Sequence, residues 1–383
     1  MRENPFRIGT HVSGRYFTDR AAEVKRILGA MREPTRLLVF GPRRMGKSSA
    51  IAVASDRARR DGVLVVRADL STASALVDVA NRLLGSLSAQ RKREWFVRLA
   101  ESLVPTVTLT VDPATGAPRL VFGAEGRTAP EERQRRSLEQ VVELLAVEAR
   151  GEGRVAVVLD EFQAIRRFGG DEAEWHLRDL MQRHGTLSFI CAGSEVSLVE
   201  EMLGKDRAFF RMFELLHLGP VAPDHLARWI DARLEKAGVD PAGAGAEIVG
   251  RVGPRTQDIL QVARHVYARR LSRGGVTADD VTGAIRDVVR EEDPVIRTIW
   301  SGLTTHQQNV LRAVASGAEQ VFSTSTRSRF GLPTSSTVAA AVDALEKRGI
   351  LARDPGDGSI DFDSPFVRFW VEWETLRDVP PMA

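Results

Sequence analysis

The stretch that most restricts this chain is Arg36-Leu-Leu-Val-Phe-Gly41-Pro-Arg-Arg-Met-Gly46-Lys47-Ser48-Ser49. It reads as a short apolar strand, a G-x-x-x-x-G-K-S loop and then a helix running to about Arg60. That order is the setting a phosphate-binding loop requires. Gly41 and Gly46 let the backbone turn so that successive N–H groups point into one concavity. The free amides and positive end of the following helix face the same anion. Gly41 to Ser49, including Pro42, Arg43, Arg44 and Met45, therefore form the expected phosphate cradle. Lys47 is expected on the β- and γ-phosphates and the Ser48 hydroxyl on Mg²⁺. A nucleoside triphosphate is the ligand such a loop takes.

A second apolar strand, Arg154 to Leu159, ends in Asp160-Glu161, about 110 residues further on. Asp160 is expected to hold the Mg²⁺ hydration shell and Glu161 to polarise the attacking water as general base. Adjacent carboxylates at a strand end are commonplace; following a complete phosphate loop, they read as the second half of one site. Leu187 to Ser194 is another apolar strand. Ser194 at its end either contacts the γ-phosphate or water, or caps the next helix. Gly193-Ser-Glu-Val does not fit a G-x-S-x-G nucleophile elbow. Arg211, with Arg207 as second choice, either faces a neighbour's nucleotide as an arginine finger or is an ordinary solvated or sheet-packing arginine.

The rest of the chain sets out the domains. An irregular segment with Tyr16 and Phe17 precedes a helix expected to be capped by Asp19. These aromatic residues, with Phe6, either wall an adenine ring or cap the sheet edge. Residues 91–130 read as an insertion: a helix over Arg91–Leu103, then period-two alternation on both sides of Asp112–Gly116, a hairpin signal. Gly219-Pro220 marks a boundary, after which four helical patterns with short turns form a lid to about residue 293. Arg255, ahead of the third of these, is either a phosphate sensor or a surface charge. From Asp293-Pro294 onward, three helices and a hairpin spell a winged helix-turn-helix, ending in an aromatic tail of Phe366, Phe369, Trp370 and Trp373. The expected fold class is α/β: a P-loop NTPase core with a parallel sheet (1–218), a helical lid (219–293) and a winged helix-turn-helix (294–383).

Composition bounds the partners. With 54 basic and 51 acidic residues the net charge is only +3, no basic coat for nucleic acid. Between 295 and 383, nine basic residues stand against ten acidic ones, a net charge of −1, with aspartates in and beside the wing. Few phosphate contacts are on offer there. Thr334 to Thr337 at the recognition helix's start can still touch bases or phosphates, so DNA and protein docking both stay open. The single Cys191 lies in an apolar run and reads as a small buried hydrophobe. No 18-residue apolar run and no signal peptide is seen, so the expectation is a cytoplasmic protein without a membrane partner.

With these residues in view, the chain resembles the prokaryotic P-loop ATPases of the archaeal-type ATPase family, relatives of the STAND and AAA+ switch proteins and of origin-recognition initiators. The resemblance is carried by Asn4-Pro-Phe6, Tyr16-Phe17-x-Asp19-Arg20-x-x-Glu23, Gly41 to Ser48, Leu159-Asp-Glu-Phe-Gln163, Ala192-Gly-Ser194, Phe209-Phe-Arg211-Met-Phe213 and the C-terminal winged helix. It implies ATP over GTP, slow hydrolysis, and nucleotide-gated conformational change or homo-oligomeric assembly. Two departures are Ser48-Ser49 where Thr is common, and the acidic wing. The leading reading is an ATP-hydrolysing switch. The rivals are a DNA-binding initiator or regulator and a non-enzymatic scaffold holding ADP; a small-molecule kinase fits the Asp-Glu pair poorly.

Overall fold

The computed structural model describes residues 3–9, 14–90, 107–111, 118–122, 130–150, 153–194, 199, 201–270, 275–318, 320–353 and 358–376. The chain divides into two compact units: Gly9–Val221, and Ala222 onward together with the stretch ending at Ile8.

The first unit is built on a five-stranded sheet of β1 (Arg36–Phe40), β2 (Val63–Asp69), β5 (Arg154–Asp160), β6 (Ser188–Gly193) and β7 (Glu214–His217). Its order is β2-β5-β6-β1-β7, with every pairing parallel. The central strands are unbroken apolar runs because both faces are covered, and successive side chains enter different cores. Val155, Val157 and Leu159 enter one core; Ala156 and Val158 enter the other. Likewise Phe189 and Cys191 face one side, and Ile190 and Ala192 the opposite side. Helices α1 (Ala21–Arg32) and α2 (Lys47–Arg60) supply the second of these cores. Helices α3 (Leu76–Ser88), α4 (Pro130–Arg150) and α5 (Ile165–Arg183) supply the first. Cys191 is wholly buried, and burial pushes its thiol well above the ordinary range.

The expected hairpin is present as β3 (Val107–Val111) against antiparallel β4 (Pro118–Phe122). Its turn and the helix expected over Arg91–Leu103 lie outside the described residues, as does most of the start of the helix expected after Ser194. Helix α1 departs from expectation at its start. The cap position is Arg20, not Asp19, and no side chain caps it. Both residues hold positive φ, 57° and 65°. The buried Arg20 is used elsewhere: its guanidinium donates to the Met45 carbonyl (3.3 Å) and to the Gly219 carbonyl, bracing the phosphate loop against the exit of β7.

The second unit holds α6 (Pro223–Lys236), α7 (Ala244–Val252), α8 (Thr256–Arg270) and α9 (Ala278–Ser301). The winged helix follows as α10 (Thr305–Ala315), α11 (Thr324–Arg329), α12 (Ser335–Lys347), the β8–β9 hairpin (Leu351–Arg353, Ile360–Phe362) and α13 (Pro365–Thr375). The break expected at Asp293-Pro294 is absent: α9 runs straight through Pro294. An internal proline costs a helix about 3 kcal/mol. Packing outweighs it, because the buried stripe Val281-Ala284-Ile285-Val288 resumes at Ile296 beyond the proline. Asp293 also accepts the Trp370 indole N–H of α13 at 2.7 Å. The four-helix stretch and the winged helix thus share one long helix. Phe6, expected beside the phosphate-loop domain, is buried in this unit against Trp229, with ring centroids 6.0 Å apart. The Pro5 carbonyl accepts from Arg233 at 2.8 Å. Tyr16 and Phe17 remain in the first unit, where Phe17 packs on the sheet core.

Candidate active site

Parallel pairing brings the ends of β1, β6 and β5 to one edge of the sheet. Phe40 stands level with Gly193, and Leu159 with Cys191. The phosphate loop leaving β1, Ser194 leaving β6 and Asp160-Glu161 leaving β5 therefore share that edge, where ligands bind in open α/β sheets.

The loop is shaped by its glycines. Gly41 holds φ 149°, and a β-carbon there would lie 2.3 Å from the Leu218 carbonyl oxygen. Arg44 and Gly46 take left-handed conformations, φ 66° and 91°. Gly46 then caps α2, whose first residue is Lys47. Arg43 and Arg44 are exposed, Met45 is buried, and Pro42, Ser48 and Ser49 are half-buried. Lys47 is buried, and its Nζ donates to the Gly41 and Pro42 carbonyls at 2.7 Å each. Burial pushes the ammonium down to about 8 from its ordinary 10.5, while the negative charges of Glu161 and Asp160 partly oppose that fall. Cradle and carboxylate pair lie at the same strand-end edge.

Each carboxylate is held. Asp160 is buried; its Oδ2 accepts from the Arg67 guanidinium on the neighbouring β2, and its Oδ1 from the Glu161 amide at 3.1 Å. Glu161 sits in the left-handed region, φ 50°, unusual for a side-chain-bearing residue. Its Oε2 accepts from Ser194 Oγ at 2.6 Å and from Gln163 Nε2 at 2.5 Å. Ser194 is buried, so its hydroxyl is committed to the general-base candidate. Both bonds fall on the same oxygen, Oε2.

The bonds just described do not involve the remaining candidates. Arg211 is exposed, has φ 53° and lies over the Phe210 ring at 5.3 Å. Arg207 is engaged with Asp171 (2.7 Å) and the buried Glu174 (2.8 Å). Arg255 belongs to the second unit, where it is buried and paired with Asp363 beside the wing. Sequence reading passed over Arg20, Arg67 and Gln163. Gln163 stood inside a recognised motif with no role, and no local signal links Arg67 to Asp160.

The described residues contain no cluster of three or more metal-ligating side chains. Mg²⁺ takes one or two protein oxygens and completes its shell with water and phosphate. The Asp160 carboxylate already carries a cationic stand-in, the Arg67 guanidinium. Asp160 and the Ser48 hydroxyl are an oxygen donor set of the right chemistry.

Residues 16–191 match the family model of the AAA ATPase domain, and residues 295–373 that of a probable winged helix domain. The chain carries an AAA ATPase domain followed by a winged helix domain. Among solved structures, the Walker-type ATPase PABY2304 of Pyrococcus abyssi is similar at 16% identity and TM-score 0.64, covering 93% of this chain and 96% of that one. The Aeropyrum pernix ORC2 protein, solved in ADPNP–ADP complexes, is similar at 14% identity and TM-score 0.54, covering 90% of each chain. At these identities the likeness is one of fold. Comparison with curated proteins finds no match. This AAA ATPase domain is a nucleotide-binding one by family and by the geometry of its loop. Among the described residues no helix is long and apolar enough to cross a membrane.

Proposed function

We propose that this chain is an ATP-hydrolysing molecular switch. The observation that carries the reading is that the strand register brings the phosphate loop leaving β1 and the Asp160-Glu161 pair leaving β5, two places away in the sheet, to one edge. Lys47 and the loop amides bind the β- and γ-phosphates. Ser48 and Asp160 would hold Mg²⁺, which when bound neutralises charge on the phosphate oxygens. Glu161, oriented by Ser194 and Gln163, accepts the proton of the attacking water. Because Ser194 bonds Glu161, a rearrangement at the γ-phosphate would alter the base directly. Arg211 is exposed, which suits a finger offered to a second copy of the chain; Arg255 is then a tie within the helical unit as well as a candidate sensor. The similar Aeropyrum pernix protein was solved in ADPNP–ADP complexes, which favours adenine nucleotides here too.

Lys47→Ala should weaken binding of ATP with Mg²⁺ by about ten- to a hundredfold, the worth of charge-assisted hydrogen bonds, and abolish turnover. A Lys47→Ala protein with full binding and hydrolysis would rule the reading out.

A second reading, DNA binding by the winged helix, rests on the exposed start of α12, where Thr334, Ser335 and Ser336 lie at the surface. Duplex DNA shifted in mobility by the full chain in a salt-dependent manner would support it; no shift at low salt removes it.

A further inference from the structure

Arg67 stands two residues short of the end of β2, in a strand whose neighbouring Val65, Val66 and Ala68 are fully buried. The β2–β5 register sets Arg67 opposite Val158 and Asp69 opposite Asp160. The Arg67 guanidinium reaches along the strands to Asp160, donating from Nη2 to Oδ2. Its side chain is 24% exposed and that of Asp160 only 7%. A carboxylate so enclosed needs a positive partner in every state of the site, because an unpaired buried charge is costly.

We propose that Arg67 is the resident counter-ion of the metal position: it occupies Asp160 in the empty site, must leave when a divalent cation is bound there, and so sets the Mg²⁺ requirement of nucleotide binding. This rests on the nucleotide reading above. A guanidinium is permanently charged and carries only donors, so it cannot join a metal's shell as a ligand. Arginine and metal therefore exclude one another at Oδ2, both by occupancy and by like charge. The displaced side chain has an anion to turn to. Asp69 lies two residues on, on the same face of β2, and is exposed. Its carboxylate accepts from the Ser71 amide at 2.8 Å.

The arrangement has two consequences of opposite sign. With the metal absent, Arg67 screens Asp160 and lets a bare triphosphate approach. With metal present, Arg67 is a competitor that raises the concentration needed.

The test is equilibrium binding of a fluorescent ATP analogue to the full chain, in EDTA and against free Mg²⁺. In Arg67→Ala, the half-saturating Mg²⁺ should fall about five- to tenfold, the worth of losing one partly buried ion-pair competitor. Binding in EDTA should weaken by a similar factor, because Asp160 then faces the phosphates unscreened. Arg67→Lys, which keeps a cation, should stay within about twofold of wild type on both measures. Arg67→Gln should reproduce the alanine result with a side chain of similar bulk, separating charge from packing. An unchanged Mg²⁺ midpoint in both neutral variants overturns the proposal, as does equal weakening with and without metal, the mark of a purely structural residue. A wild-type chain that binds no nucleotide would overturn the ATPase reading and this proposal together; one that binds, with the variants unshifted, overturns this proposal alone.

Discussion

Raising the pH should weaken nucleotide binding in a range where an ordinary lysine is silent. Burial strips the Lys47 ammonium of water and lowers its pKa to about 8, and Glu161 and Asp160 only partly restore the balance. If the charged form is the one that binds phosphate, about nine-tenths of the protein is competent at pH 7 and about one-tenth at pH 9. The bound triphosphate raises the lysine again, so binding takes up a proton. Affinity is full below about 8 and falls as pH rises through it. From pH 7 to 9 the Kd should rise about tenfold, or about 1.4 kcal/mol. A lysine at its ordinary 10.5 would change affinity by only a few per cent over that range. The fold responds in the opposite sense. A depressed lysine penalises the folded state below about 8, by about 3 kcal/mol, and the penalty fades as pH climbs toward 10.5. The assay is titration calorimetry of ATP with Mg²⁺ at pH 7, 8 and 9 in buffers of different ionisation enthalpy. At pH 8.5 it should report about three-quarters of a proton taken up per nucleotide. A Kd constant within twofold across this range, in a protein whose Lys47→Ala variant binds about ten- to a hundredfold more weakly, would refute the reasoning.

Glu161→Gln should bind ATP as tightly as wild type while turnover falls about 10²- to 10⁴-fold, read by phosphate release; unchanged turnover would remove Glu161 as the base. Ser194→Ala removes one of two bonds on Glu161 Oε2 and should alter kcat with KM held, whereas a change confined to KM would place Ser194 on the substrate instead. Gly41→Ala should cost about 1–3 kcal/mol in urea denaturation and impair nucleotide binding, since its β-carbon meets the Leu218 carbonyl; a neutral result would show that the loop relaxes freely. Trp370→Ala should cost about 3–5 kcal/mol in urea unfolding of the full chain, because the ring is buried and its N–H is bonded to Asp293. A loss below 1 kcal/mol would mean that α13 does not hold α9 in place.

The amino-acid order determined the phosphate loop, the carboxylate-ended strand, the hairpin and the winged helix, because each is a local pattern. Two glycines at fixed spacing, an apolar run ending in Asp160-Glu161, and period-two alternation around a turn can be read within a dozen residues. Helix caps are equally local: Thr304 and Gln307 cap α10 reciprocally at 3.3 and 3.0 Å. Pro294 misled for the same reason. A proline signals a break locally, and only the packing of Ile296 and the Asp293–Trp370 bond carries the helix across it.

What tertiary structure alone decided is who meets whom at the strand ends. Strand order is a non-local quantity: nothing near Arg67 in sequence announces that β2 lies against β5, 93 residues away at Asp160. The same holds for Ser194 on Glu161, for Arg20 bridging Met45 and Gly219, and for the capture of Arg255 by Asp363. Residue types and spacing fix which chemistry is available. The charge state and the hydrogen-bond partners that govern it follow from burial and neighbours, which exist only once the chain has folded.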